Sequence, residues 1–401
     1  QMGQKRKISK LAPRNVLSYV LKEERRSSIL IFIAAITALI LANSKWSSAY
    51  FSFLQQDFTL GAITFDLQHW INEGLMAIFF LVVVLEIKRE FIDGELRSWK
   101  KASFLVFCAI GGMVVPALIF SALNPFPPES TGWAIPISTD TAIALGVIGL
   151  LGRKIPRNLK IFLLAVAIID DIISITVIGL YYSRPTNMFF LMAAIGLSIL
   201  LIYARSKKLR LVSFAVFGFA MWYCLLMAGI TGTIAGVIIA IIAPLTTRRA
   251  NASNLQGSEI VEDMLLPVTA FLIVPLFVFA NAGLDFSKVS LSHGNGLMVF
   301  VGVALGLFIG KPVGIFAGGW ISAKLKIAHK PRGVNWIQIL GVGFIAGIGF
   351  TISILIADLA YNSNSDFQNA AILGVFAASI ISGFVGVMLL KASSRLPALK
   401  K

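Results

Sequence analysis

The segment AVAIIDDIISITVIGL (165–180) places Asp170 and Asp171 side by side in a run with no other charge. Adjacent residues of a helix point about 100° apart, so one carboxylate can meet a fixed countercharge while the other faces a water-filled cavity. Burial and a neighbouring like charge both disfavour the ionised form of a carboxyl group. Such a pair suits a proton, or a small hard cation held with hydroxyl and carbonyl oxygens. A site that holds either one, but not both, can exchange them.

Two further charges lie in apolar runs, Asp140 in GWAIPISTDTAIALG and Lys311 in LFIGKPVGIFAGG. A charged residue at membrane depth costs about 2.5–3.5 kcal/mol on insertion scales and marks either an ion path or a structural pair. Three aspartates and a lysine together favour the ion path. Lys311 is the cation available at mid-depth, so we expect it to neutralise one carboxylate of the adjacent pair. The other would titrate, and the two would titrate as a coupled unit.

The run that contains Asp140 also contains helix-breaking residues. Pro136 removes a backbone hydrogen bond, and Ser138, Thr139 and Thr141 offer competing side-chain partners. A second run, ILGVGFIAGIGFTISILIADL, has four glycines before a threonine. Paired interrupted helices indicate a transporter site, although the glycines alone are also typical of close helix packing. We expect Asp140 to compensate the positive N-terminal ends of the interrupted helices.

The composition of the chain indicates the kind of fold that must position these residues. The chain has 401 residues, 57% of them hydrophobic and 13% charged, with a mean hydropathy of +0.85. Soluble domains carry about 25% charged residues, so this is the composition of an all-α integral membrane protein. No cofactor is predicted, and no linker divides residues 1–401 into domains. Taking about 20 apolar residues per crossing, the chain has twelve predicted spans, near 28–43, 70–86, 102–124, 132–152, 158–182, 187–204, 209–227, 230–246, 264–283, 296–320, 335–360 and 367–390.

The net charge of +16 has a topological explanation. The basic N-terminal segment 1–27, the loops after even-numbered spans and the C-terminal tail hold 31 Lys and Arg residues, whereas the intervening loops hold 3. Cytoplasmic loops collect Lys and Arg, so both termini are predicted to be cytoplasmic. With the charge explained in this way, we expect no nucleic-acid partner.

Span order predicts an internal repeat. Spans 3 to 5 run opposite to spans 10 to 12, and IGGMVVPALIF (110–120) is weakly similar to LFIGKPVGIFAGG (307–319). Inverted repeats of about 102–182 and 296–390 are therefore predicted, with spans 4 and 11 as crossed discontinuous helices.

The predicted periplasmic loop 44–69 has a pattern of its own. Within it, residues 51–67 alternate partly between apolar and polar types around Gly61. This pattern predicts a β-hairpin, and a plain surface loop is the alternative.

Six segments in order along nearly the whole chain carry a resemblance, namely GLMAIFFLVVVLEIKRE (74–90), STDTAIALG (138–146), AIIDDI (167–172), PLFVFANAG (275–283), GKPVGI (310–315) and GIGFTISILIA (347–357). Together they resemble the NhaA-type sodium/proton antiporters of bacteria. The resemblance implies twelve helices and an inverted-repeat core with crossed broken helices. It also implies electrogenic, pH-regulated exchange of cytoplasmic Na⁺ or Li⁺ for external H⁺, in sodium and pH homeostasis. The family works as an inner-membrane homodimer joined through the loop at 44–69.

The resemblance also assigns roles at the site. Asp170 and Asp171 are implied to be the ion- and proton-binding pair, with Asp171 as the main cavity-facing ligand and Asp170 paired with Lys311. Thr139 is implied at the ion site, and Asp140 is implied to compensate helix dipoles.

A second group resembles the family's cytoplasmic funnel, which is linked to pH activation, and comprises Glu86, Arg89, Glu90 and Glu262. One position departs from the family. Well-known members have histidine where AGITGTIAGV has Thr231, and histidine titrates near neutral pH. We therefore expect a shifted pH dependence, or one that rests on the acidic cluster alone.

Two other classes also place aspartates within a membrane. An intramembrane aspartyl protease needs Tyr-Asp and Gly-x-Gly-Asp motifs, and the chain has neither. A sodium-coupled symporter of an organic anion shares crossed broken helices, but would favour a wider polar cavity over a lysine set against an aspartate pair. A secondary transporter rather than an enzyme is therefore predicted.

Overall fold

The computed structural model describes residues 13–61, 63–93, 99–151, 155–182, 187–206, 211–243, 264–283, 285, 295–328, 330–331, 333–361 and 365–393. These residues are predominantly helical. The helices are α1 Pro13–Ala42, α2 Ser47–Leu54, α3 Leu67–Trp70 with Met76–Asp93, α4 Trp99–Leu123, α5 Thr141–Leu150, α6 Arg157–Val177, α7 Met188–Ser206, α8 Leu211–Met227, α9 Thr233–Ile242, α10 Met264–Asn281, α11 Gly296–Lys324, α12 Trp336–Ala346, α13 Phe350–Tyr361 and α14 Ser365–Ser393. A 3₁₀ segment, Glu129–Ile137, precedes α5.

Each predicted span overlaps at least one described helix, and predicted spans 4 and 11 each cover two helical segments separated by a break. Within the described ranges, seven helices are long and apolar enough to cross a membrane, and up to nine crossings result if each bent pair counts as one. The bent pairs are α1 with α2, at 116°, and α12 with α13, at 47°. Three apolar helices, α7, α8 and α9, are shorter over their apolar parts. The count of twelve crossings therefore stays a prediction.

Prolines account for two wide turns inside the helices. The π-helical turn Gly306–Gly310 in α11 directly precedes Lys311 and Pro312, and Thr269–Ile273 in α10 precedes Pro275. A proline lacks the N–H group and its ring collides with the carbonyl four residues earlier. A π turn relieves both problems, and such turns are frequent at functional sites. In α11 the turn ends directly before the lysine that the sequence singled out.

Helices α4 and α11 pack with their backbones in contact. A Cβ atom built on Gly111 would lie 2.1 Å from the carbonyl oxygen of Gly314, and one on Gly314 would lie 2.1 Å from that of Gly111. Only glycine fits at such a crossing. This packing brings the turn that carries Lys311 into the interior, where its side chain is fully buried. The two helices open the predicted repeats, whose symmetry stays a prediction.

The predicted hairpin is confirmed, with shorter strands than the segment 51–67. Strands β1 (Asp57–Leu60) and β2 (Ile63–Asp66) pair antiparallel, the first residue of each opposite the last of the other. Gly61 has φ +64° in the turn, a conformation that glycine adopts without strain. Residues 51–54 of the segment belong to α2 instead.

Candidate functional site

Two interruptions of the helices meet inside the protein. One is the extended stretch between the 3₁₀ segment and α5, and the other separates α12 from α13. The backbone N–H of Asp140 donates to the carbonyl of Ile348 at 2.6 Å. The hydroxyls of Ser138 and Ser353 lie 2.9 Å apart. Backbone groups that the helices leave unpaired at membrane depth thus find partners across the two breaks.

Asp140 binds the first turns of two helices. Its Oδ1 accepts from the N–H of Ile143 (2.9 Å) in α5, and its Oδ2 accepts from the N–H (3.0 Å) and hydroxyl (2.6 Å) of Thr351 in α13. The residue is 2% exposed. Helix N-termini carry partial positive charge and unpaired N–H groups. One carboxylate therefore caps both helices, and both of its oxygens are engaged.

Asp170, on α6, is tied to a lysine and to both breaks. Its Oδ2 accepts from Lys311 Nζ at 2.5 Å and lies 2.7 Å from the Thr139 hydroxyl. The same ammonium donates to the carbonyl of Ile137, at the end of the 3₁₀ segment. The Thr139 hydroxyl also lies 2.8 Å from the carbonyl of Ala346, at the end of α12. The structure thus brings Asp170, Lys311 and Thr139 together in one buried contact.

Asp171 has different surroundings. Its Oδ2 accepts from the hydroxyl of Thr141, the first residue of α5, at 3.0 Å. Its Oδ1 has no hydrogen-bond partner among the described residues, and the residue is 5% exposed. Burying a charge without a counterion is costly. This carboxylate is therefore suited to hold a proton or to be neutralised by a bound cation.

The predicted funnel residues are only partly described. Glu86 is exposed and Arg89 is half-buried, both on α3. Neither takes part in the hydrogen bonds of Asp170 and Asp171 given above. Glu90 is described only as helical backbone, and Glu262 lies outside the described residues.

Two half-buried acids lie in a second place, which the sequence did not single out. On α13, Asp358 accepts from the side-chain amides of Asn72 (3.1 Å) and Gln368 (2.9 Å). On α3, Glu73 accepts from the N–H of Gly232 at the start of α9. The signal for Asp358 is a charge inside the apolar run LIADLAY, the same signal that identified Asp140.

Lys88 is a further residue that was not predicted. Its Nζ donates to the carbonyls of Ala240 (2.8 Å), Ile241 (2.9 Å) and Ala243 (2.7 Å) at the end of α9. A cation at a helix C-terminus is favourable because the last carbonyls are unpaired and carry partial negative charge.

Comparisons with known proteins agree over nearly the whole length. The sequence model of the family described as Na⁺/H⁺ antiporter 1 matches residues 18–390. Similar proteins include Na⁺/H⁺ antiporter NhaA 2 of Erythrobacter litoralis, 42% identical over 95% of this chain and 94% of that protein. They also include NhaA of Caulobacter vibrioides, 41% identical over 96% and 92% of the two chains, and NhaA of Helicobacter pylori, 39% identical over 96% and 97%. With the apolar helices, these matches identify a multi-pass membrane protein.

Proposed function

Because the chain belongs to the Na⁺/H⁺ antiporter 1 family, we propose that it exchanges Na⁺ or Li⁺ for H⁺ at the Asp170–Asp171 pair. The observation that carries the proposal is the unequal environment of the two carboxylates. Among the described residues Oδ1 of each carboxylate is unpartnered, but Oδ2 of Asp170 meets the buried ammonium of Lys311, whereas Oδ2 of Asp171 has only the hydroxyl of Thr141. Neither the protease nor the organic-anion symporter has support in the comparisons.

Exchange follows from competition for Asp171. When Asp171 is ionised, its oxygens and the hydroxyl of Thr141 are hard ligands suited to Na⁺ or Li⁺. When it is protonated, the negative charge that attracts the cation is gone. Because Asp170 is adjacent, protonation of one carboxylate changes the proton affinity of the other, and the two titrate as one unit. Binding of a proton and of the cation therefore exclude each other.

In this proposal Asp140 has an electrostatic role and is not a ligand of the transported ion. Both of its oxygens accept hydrogen bonds from helix N-termini. A negative charge at that point stabilises the two like-signed helix ends. Thr139 and Lys311 hold Asp170 in place and offset its charge.

The finer arrangement in the membrane is part of the same proposal. We propose twelve spans built as inverted repeats in the bacterial inner membrane, with both termini cytoplasmic, which the asymmetry of Lys and Arg supports. Exchange is electrogenic and regulated by pH through the funnel residues. A homodimer forms through the loop 44–69. Strand β1 of that loop is exposed along its whole length, and an exposed strand edge can pair with another chain.

The decisive experiment adds Na⁺ to everted membrane vesicles that carry the full chain and a preformed pH gradient. In wild-type vesicles, Na⁺ should dissipate the pH gradient without any organic substrate. Asp171→Asn should abolish this response while the protein still accumulates in the membrane. Asp358→Asn makes the same change at a half-buried carboxylate outside the site and should retain the response. The proposal is wrong if wild-type vesicles do not respond to Na⁺. The assignment of Asp171 is wrong if Asp171→Asn responds as the wild type does.

A further inference from the structure

Three oxygen atoms on two turns of α6 lack hydrogen-bond partners in the part of the chain that the structure describes. They are Asp170 Oδ1, Asp171 Oδ1 and Ser174 Oγ, and their residues are 1%, 5% and 0% exposed. A buried polar atom without a partner is costly and rare in native proteins. A serine or threonine in a helix normally avoids the cost by bonding the carbonyl four residues earlier. On the same helix, Thr176 does so, donating to the carbonyl of Ile172 at 2.7 Å.

Helix geometry places Ser174 between the two carboxylates. It follows Asp170 by four residues and Asp171 by three, spacings that put side chains on one face with Cβ atoms about 5–6 Å apart. At about 100° per residue, Ser174 points about 40° from the direction of Asp170 and about 60° from that of Asp171. Its side chain therefore lies on the same face of α6 as the two carboxylates, one turn along the helix.

We propose that the hydroxyl of Ser174 is a ligand of the transported Na⁺, together with the carboxylate of Asp171 and the hydroxyl of Thr141. This inference rests on the exchange proposed above and names a further residue of that site. A proton is satisfied by one oxygen, whereas Na⁺ needs several hard oxygen ligands. A neutral hydroxyl adds a ligand without adding charge, so Ser174 strengthens Na⁺ binding more than proton binding.

The same chemistry makes Ser174 a determinant of ion preference. Li⁺ is smaller than Na⁺ and is satisfied by fewer oxygens. Loss of one ligand should therefore weaken Na⁺ binding more than Li⁺ binding. A hydroxyl that served only to pack α6 would change the binding of both ions alike.

The test uses proteoliposomes that contain the full chain, with exchange measured at fixed pH as a function of Na⁺ and then of Li⁺. Ser174→Ala removes the oxygen, and Ser174→Cys replaces it with a larger sulfur that is a poor ligand for a hard cation. Both should raise the KM for Na⁺ about tenfold, as loss of one polar contact predicts, raise the KM for Li⁺ less, and leave the maximal rate largely unchanged. Thr176→Ala, a control on α6 at an exposed hydroxyl that bonds its own helix, should leave both constants unchanged.

The outcomes separate this inference from the proposed function. If wild-type vesicles do not respond to Na⁺, the proposed exchange of Na⁺ for H⁺ is itself wrong. A responding wild type with an unchanged KM for Na⁺ in both Ser174 variants would reject only the role of Ser174, as would equal increases for Na⁺ and Li⁺. If Ser174→Ala does not accumulate in the membrane, the cysteine variant decides, because its sulfur leaves no cavity where the oxygen was.

Discussion

Replacement of Lys311 by methionine tests the electrostatic organisation of the site. The lysine is fully buried, and its ammonium bonds both Asp170 and the carbonyl of Ile137. Methionine preserves most of the side-chain volume, so the loss is one of charge and hydrogen bonding. Removing one partner of a buried ion pair costs about 3–5 kcal/mol, because the other charge is left uncompensated. The carbonyl of Ile137, left without this donor, adds about 1 kcal/mol.

The cost should depend on pH in a defined direction. In Lys311→Met, protonation of Asp170 removes the uncompensated charge, and the folded variant takes up this proton more readily than the unfolded chain does. Uptake of a proton by the folded state stabilises it as the pH falls. The difference in stability between wild type and variant should therefore be largest at pH 8 and smaller at pH 5.

Thermal unfolding of the detergent-solubilised protein at the two pH values measures both effects. Lys324→Met is the control on the same helix. Its ammonium is exposed, 4.6 Å from the Trp320 ring, and its loss should cost about 0.5–1 kcal/mol. The double variant Lys311→Met/Asp170→Asn should recover much of the lost stability, because both charges are then absent. A double variant no more stable than Lys311→Met, or a difference from wild type that grows as the pH falls, would refute the reasoning.

Two further substitutions test the positioning of the site. Asp140→Ala removes the cap of both α5 and α13 and should cost about 1–4 kcal/mol, at about 0.5–2 kcal/mol for each cap; an unchanged unfolding temperature would contradict the double cap. Gly314→Ala places a methyl group 2.1 Å from the backbone of Gly111 and should cost about 1–3 kcal/mol by forcing α4 from α11. Gly196→Ala on α7, where a Cβ meets nothing within 4 Å, should not destabilise, and equal losses in the two alanine variants would argue against the close helix contact.

The sequence predicted the residues of the site better than the hydrogen bonds between them. Asp140, Asp170, Asp171 and Lys311 stood out because a charge in an apolar run is rare, and the hairpin stood out because of its alternation around a glycine. The bonds from Asp140 to Thr351 could not be predicted, since they depend on two segments that are far apart in the sequence meeting in space. The helical spacing of apolar residues along the sequence also does not specify where a π turn forms.

The number of crossings shows a related limit. Apolar length is a reliable signal for a long straight helix such as α14, but α8 and α9 are short and joined by a tight turn. Hydropathy cannot say whether such a pair crosses the membrane, because crossing depends on tilt and on neighbouring helices. Asp358 was missed for a different reason. It lies near the end of its apolar run, where a charge resembles an ordinary helix terminus.

The contacts of the two carboxylates also indicate how ion binding can move the helices. Through Lys311 and Thr139, Asp170 is linked to the carbonyls of Ile137 and Ala346, which end the segments before the two breaks. Asp171 is linked to the hydroxyl of Thr141, which begins α5 after one of them. Backbone groups at membrane depth must keep partners, so a change of charge at either aspartate alters the bonds that hold a broken end. Because the aspartates are adjacent on α6, we expect the exchange of a proton for a cation to shift both breaks together.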